Sequence, residues 1–180
     1  MKRRIQWITT TAVLLALLII LQAATKAGGQ FLTGSCVNLV LGVAALAGGL
    51  WCGAAVAVLS PFFAFLLGIG PALFPLTPCI ALGNLAFVLV LALLPAPNRK
   101  RPTLRGYGAV GIAAAAKCII LWLVIVQLAL PALGLPSQQA AALSAMFSWP
   151  QLVTALVGGC LAAAVAPLLR RALRYGRTAE

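Results

Sequence analysis

The stretch Cys36–Ile69, CVNLVLGVAALAGGLWCGAAVAVLSPFFAFLLGI, decides how this chain is built. It is apolar almost from end to end. A helix needs about 20 apolar residues to cross the hydrocarbon core of a bilayer. The stretch is too long for one crossing and short for two ordinary ones. Charge settles the choice, because lysine and arginine gather on the cytoplasmic side of membrane proteins. Most of the 13 basic residues fall in three clusters: Lys2, Arg3 and Arg4; Arg99, Lys100, Arg101 and Arg105; Arg170, Arg171, Arg174 and Arg177. If Cys36–Ile69 crossed once, the second cluster would lie on the opposite side from the first. If it is a hairpin, all three clusters share the cytoplasmic side. Gly48-Gly49 supplies the break.

The remaining apolar runs are Ile5–Ala24, Cys79–Leu94, Gly108–Leu130 and Trp149–Leu169. The expectation is an all-α integral membrane bundle of six transmembrane helices, with N- and C-termini cytoplasmic. The helices are placed at about 5–25, 36–48, 51–67, 78–95, 107–131 and 148–172, and residues 1–180 form a single transmembrane domain. The outward loops then run over about Lys26–Ser35, Gly68–Thr77 and Pro131–Phe147. The last two contain prolines that cannot continue a regular helix, and they are candidates for the mouth of a binding site.

Composition agrees. Of 180 residues, 63% are hydrophobic and 8% charged, against about 25% charged in a soluble domain. The net charge is +12, with Glu180 the single acid. Such an excess in a soluble protein points to nucleic acid, but here the charges flank apolar runs and no soluble module presents them. Nucleic acid is therefore not an expected partner, and the lipid bilayer is. The start Met1-Lys2-Arg3-Arg4 imitates a signal peptide, yet Ala24-Thr25-Lys26-Ala27 is a poor cleavage site, so the segment reads as a retained first span. The five cysteines form no CxxC pair and there is no histidine, so zinc and iron–sulfur sites lack support and no cofactor is expected. A Walker A loop, HExxH, GxSxG and paired carboxylates are all missing. The chain is expected not to be an enzyme and not to hydrolyse ATP itself.

Polar side chains inside a membrane are costly, and each asks for a reason. Asn38, Asn84, Lys117, Gln127 and Gln151 stand in the apolar runs. Counted at about 1.5 Å per residue, Asn38 falls near the outer end of the second helix and Asn84 about two turns into the fourth. Gln151 falls one turn into the last helix, and Lys117 near mid-membrane. Four helices thus place hydrogen-bonding groups in the outer half, where an outward cavity would gather them. No acid lies in any span to pair with Lys117. It either meets an anionic group on a ligand or snorkels to an interface. Lys26 either assists or is a solvated loop lysine. Asn38, Asn84 and Gln151 line a pocket or join helix to helix. Trp149, beside Pro150, is either a wall of the mouth or an interfacial aromatic. Gln127 reads as an outer-interface residue. Ala12 and Ala16 lie four apart on the first helix, as do Gly49 and Gly53 at the hairpin turn, and small residues so spaced let a second helix approach closely.

Three segments carry a resemblance: Gly29-Gln30-Phe31-Leu32-Thr33-Gly34-Ser35-Cys36-Val37-Asn38; Ser60-Pro61-Phe62-Phe63-Ala64-Phe65-Leu66-Leu67-Gly68-Ile69-Gly70-Pro71; and Phe147-Ser148-Trp149-Pro150-Gln151-Leu152-Val153-Thr154-Ala155. In these the chain resembles the substrate-binding S component of energy-coupling factor (ECF) transporters, over most of its length. The resemblance implies a bacterial plasma-membrane subunit that captures a small vitamin-like nutrient from outside. It implies as partners a transmembrane coupling protein and two ATPase subunits, an ABC-type importer overall. It also implies docking through small residues on the first helix, which Ala12 and Ala16 match. The family's site lies in the outer half, capped by the first loop and lined by the last three helices. That region holds Gln30, Thr33, Asn84, Lys117 and Gln151. A cationic nutrient would favour an acidic pocket residue, which this chain lacks, so an anionic or neutral ligand is expected. The rival readings are a structural or regulatory membrane protein without a ligand, and a stand-alone carrier.

Overall fold

The computed structural model describes residues 2–94 and 104–178, so Arg99, Lys100 and Arg101 lie outside the described residues. Those residues are helical throughout their ordered elements. Helix α1 spans Lys2–Thr25 and is followed by a single tight turn, Lys26–Gly28. Helix α2 spans Gly29–Val43 and ends in a π-helical turn, Ala44–Gly48. Helices α3 (Leu50–Leu66) and α4 (Leu76–Leu93) follow. Helix α5 (Leu104–Leu121) continues through a π-helical stretch, Trp122–Ala129, into a last turn, α6 (Leu130–Leu133). The short α7 (Ser137–Met146) precedes the long α8 (Trp149–Thr178).

Glycines make the reversals. Gly29 has φ +77° and Gly49 φ +89°, a left-handed region that an L side chain rarely enters. The first reverses the chain between α1 and α2, the second between α2 and α3. The expected break at Gly48-Gly49 is where the chain turns. The first loop is shorter than the expected Lys26–Ser35, because helix resumes at Gly29 and not at residue 36. Gln30, Thr33 and Ser35 look like loop residues by polarity, but Gln30 and Thr33 share a helix face that borders a cavity and Ser35 points elsewhere. The third outward segment, Pro131–Phe147, is also mostly helical: Gly134 (φ +57°) closes α6, and the alanine-rich α7 follows. As a result Asn38 lies more than two turns inside α2, deeper than expected.

The long helices close a ring in the order α1, α3, α4, α5, α8, α2, with α1 packed on both α2 and α3. Thus α1 and α5 lie across the ring from each other. Between apolar helices in lipid there is no water to expel, so association rests on close packing. Helices α2 and α8 are the tightest pair. A Cβ on Gly42 would stand 2.5 Å from the Ala162 Cβ, and one on Gly158 would stand 2.6 Å from Leu39 N and overlap Ser35 O. The matched positions 34/154 and 42/162 show that these two helices run parallel. The interior is apolar around Leu18, Leu41, Val56, Phe87, Val88 and Val110, all fully buried.

The outside is apolar too. Val13, Ile20, Trp51, Leu66, Leu128 and Leu168 are all more than half exposed, a surface that suits lipid and not water. Among the described residues, four helical stretches are long and apolar enough to cross a membrane: Arg4–Gly48, Leu76–Leu93, Gly106–Leu133 and Ser137–Arg170. Leu50–Leu66 is a shorter apolar helix. The first of these stretches folds back at Gly29, with Thr10 close to Gly48 and Thr25 bonded to Thr33. One end of the bundle carries Arg4 and Arg170, whose guanidinium donates to Leu46 O. The opposite end carries Lys26.

Candidate functional site

A cavity of about 250 Å³ lies inside the ring towards the Lys26 end. Its floor is Lys117 on α5. The ammonium donates to Asn38 Oδ1 on α2 and to Asn84 Oδ1 on α4, each at 2.7 Å. It also stands 5.8 Å from the centre of the Phe87 ring, whose face attracts a cation. Lysine only donates, so both asparagines must turn their oxygens to it. Lys117 is 3% exposed and thus belongs to the bundle as well as to the cavity.

From the floor a chain of hydrogen bonds climbs to the mouth. The Asn38 amide donates to Gly34 O at 2.9 Å and to Thr154 Oγ1 at 3.4 Å. The Thr154 hydroxyl donates to Gln151 O at 3.2 Å. Gln151 Nε2 donates to Met146 O at 3.2 Å, and Gln30 Nε2 to the same oxygen at 2.5 Å. Met146 O terminates α7, where helix carbonyls lack intrahelical donors. The two glutamines therefore pin α7 against α2 and α8 at the rim. Across the rim, Lys26 Nζ donates to Gly68 O at 2.8 Å, which ties the turn after α1 to the turn after α3.

Of the residues expected from sequence, Lys117, Asn84, Asn38, Gln151, Gln30 and Thr33 all border this cavity. Thr33 also donates to Thr25 O at 2.9 Å and so braces the first turn. Trp149 is a correction. It is 63% exposed and packs on Phe31 outside the cavity, with ring centres 5.7 Å apart. Successive helical residues turn by about 100°, so Trp149 and Gln151 cannot face the same way. Gln127 is exposed, as an interface residue would be. Ala12 and Ala16 lie on the exposed face of α1. The opposite face of that helix buries Thr11, Leu14, Leu18 and Gln22.

Gln22, Ser60 and Thr77 border the cavity as well, and sequence reading passed over them. For Gln22 a signal existed, since it continues the 3–4 spacing of Leu14 and Leu18 along the inward stripe. Serine and threonine give no such signal, because a hydroxyl can bond back to its own helix. Among the described residues the lining carries basic side chains and no acidic one. Lys26 and Lys117 border the cavity, and the chain's single acid is Glu180, at its far end.

The family described as "ECF transporter, substrate-specific component" matches residues 6–170. No curated protein and no solved structure matches the chain. The match runs from the first turns of α1 to Arg170 and takes in every residue that borders the cavity, and on that ground the chain belongs to the substrate-specific components of ECF transporters.

Proposed function

We propose that the chain is the solute-capturing membrane subunit of an ECF-type ABC importer in a bacterial plasma membrane. Six crossings, α1, α2, α3, α4, α5 and α8, put both termini and the three basic clusters in the cytoplasm. The cavity then opens outward. There it takes a small vitamin-like nutrient, neutral or anionic, and a separate coupling protein with two ATPases drives its release inside. One observation carries the reading: a largely apolar cavity with Lys117 and a few amides and hydroxyls set into its walls lies towards the end of the bundle opposite Arg4 and Arg170. Lys117, Asn38, Asn84, Gln151, Gln30 and Thr33 are proposed to bind the solute, and Ala12 and Ala16 to dock the coupling protein.

The charge of the solute follows from the lining. A site with two lysines and no carboxylate returns little of the cost of desolvating a cation. An anion or a carbonyl oxygen can accept from the third Lys117 N–H. A second reading has its own support, since Lys117 already holds two amide oxygens and could serve as helix glue alone. Co-expression of the tagged chain with a matched coupling protein and its two ATPases separates the readings. A stoichiometric complex after gentle solubilisation is expected. If the chain purifies alone beside an intact module, the importer reading fails.

A further inference from the structure

Two buried oxygens in the cavity wall have no hydrogen-bond partner. Gln22 Oε1 on α1 and Ser60 Oγ on α3 are both sealed from solvent and accept nothing. Gln22 is 8% exposed and Ser60 1%. The two residues stand on adjacent helices and both border the cavity. A buried polar atom without a partner costs stability, and native proteins leave few of them. The floor shows the contrast, because both asparagine oxygens there accept from Lys117.

Position adds the second half of the argument. Lys117 stands on α5, across the ring from α1. One side of the cavity therefore carries a donor, and the other carries acceptors that a side-chain rotation brings to it. Near the acceptor side, Lys26 spends its ammonium on Gly68 O at the rim.

We infer that Gln22 and Ser60 form a recognition wall for an N–H or O–H group of the solute, with Lys117 reading an acceptor at its other end. This rests on the reading of the cavity as the solute site and deepens it. The solute class is a small lactam, cyclic imide or similar amide-bearing ring, uncharged or carrying one carboxylate. A solute without a donor, or with a fixed cationic centre, is rejected. On binding, the Gln22 amide turns its oxygen onto the donor, and the Ser60 hydroxyl accepts from or donates to the same edge.

The test uses the full chain in lipid nanodiscs, dialysed free of solutes. Thermal unfolding of Gln22→Leu and of Ser60→Ala is compared with the parent. If the oxygens await a ligand, neither variant unfolds at a lower temperature than the parent. A fall in both midpoints shows that a protein group or trapped water already satisfies them, and overturns the inference. Saturation-transfer NMR then compares uracil, orotate and pyroglutamate with their N-methylated counterparts. At least one N–H probe should bind better than its methylated partner by about threefold to tenfold, the worth of one hydrogen bond. That ratio should fall towards one in Gln22→Leu. Equal binding within every pair, no binding by any probe, or an unchanged ratio in Gln22→Leu each overturn it. Assembly with the coupling module is scored separately on the same preparations. Absence of N–H selectivity in the parent chain with assembly intact sinks the recognition wall alone, whereas selectivity without assembly sinks the importer reading and leaves the wall standing.

Discussion

Lys117 satisfies two amide oxygens at once, and its removal would strand both. Each buried acceptor left without a donor costs about 1–3 kcal/mol. Lys117→Met should therefore lower the thermal unfolding midpoint of the solute-free chain. The triple variant Lys117→Met, Asn38→Leu, Asn84→Leu should recover much of the loss, because apolar replacement of a whole network is often close to neutral. Equal loss in both would show that the three residues do not act as a unit. For an anionic solute, Lys117→Met should also weaken binding by about 1.5–3 kcal/mol, the range for a hydrogen bond to a charged group, as isothermal titration would show. These residues were legible in the sequence because an ammonium or an amide in a long apolar run is conspicuous. That they meet was not legible, since it depends on which faces of α2, α4 and α5 turn inward. The same uncertainty about facing misplaced Trp149 and hid Gln22.

At the level of the helices, glycine has two different duties. Gly158 faces the backbone of α2, and its missing Cβ is what lets the two helices touch. Gly111, on α5, has nothing within 4 Å of where a Cβ would stand. Gly158→Leu should thus destabilise the chain by about 1–3 kcal/mol or more, the cost of overpacking. Gly111→Ala should be neutral or stabilising by up to about 1 kcal/mol, since alanine is the better helix former. Denaturation in mixed micelles measures both, and similar effects from the two would refute the close-approach account. The turn at Gly48-Gly49 was readable from composition and charge together. The early start of α2 was not, because a short polar segment such as Gln30–Ser35 is ambiguous between a loop and the wet face of a helix. The length of the gap before Cys36 made the loop reading plausible, and one left-handed glycine at residue 29 made most of that gap unnecessary.

For the whole molecule, two expectations concern sides and faces. A cysteine placed at position 101, between α4 and α5, should react with an impermeant thiol reagent only from the cytoplasmic face. Labelling from outside would overturn the six-crossing topology. Ala12→Leu with Ala16→Leu should block co-purification with the coupling module and leave solute affinity unchanged, because both alanines face away from the cavity. Undiminished assembly would take α1 out of the docking surface. The ring order also bears on how such a subunit can move. Helices α2 and α8 meet closely along Gly34, Gly42 and Gly158, where missing side chains admit Thr154, Ala162 and the α2 backbone in turn, so the pair forms a single thick beam. Asn38, and through it the floor of the cavity, is anchored to that beam. Gln22 and Ser60 stand on α1 and α3, and α3 meets the end of α2 at Gly53, where a Cβ would stand 3.0 Å from Ala45 Cα. The rim is tied as well, since Thr33 on α2 donates to Thr25 O at the end of α1 and Lys26 to Gly68 O after α3, so any widening of the mouth has to break those two latches first.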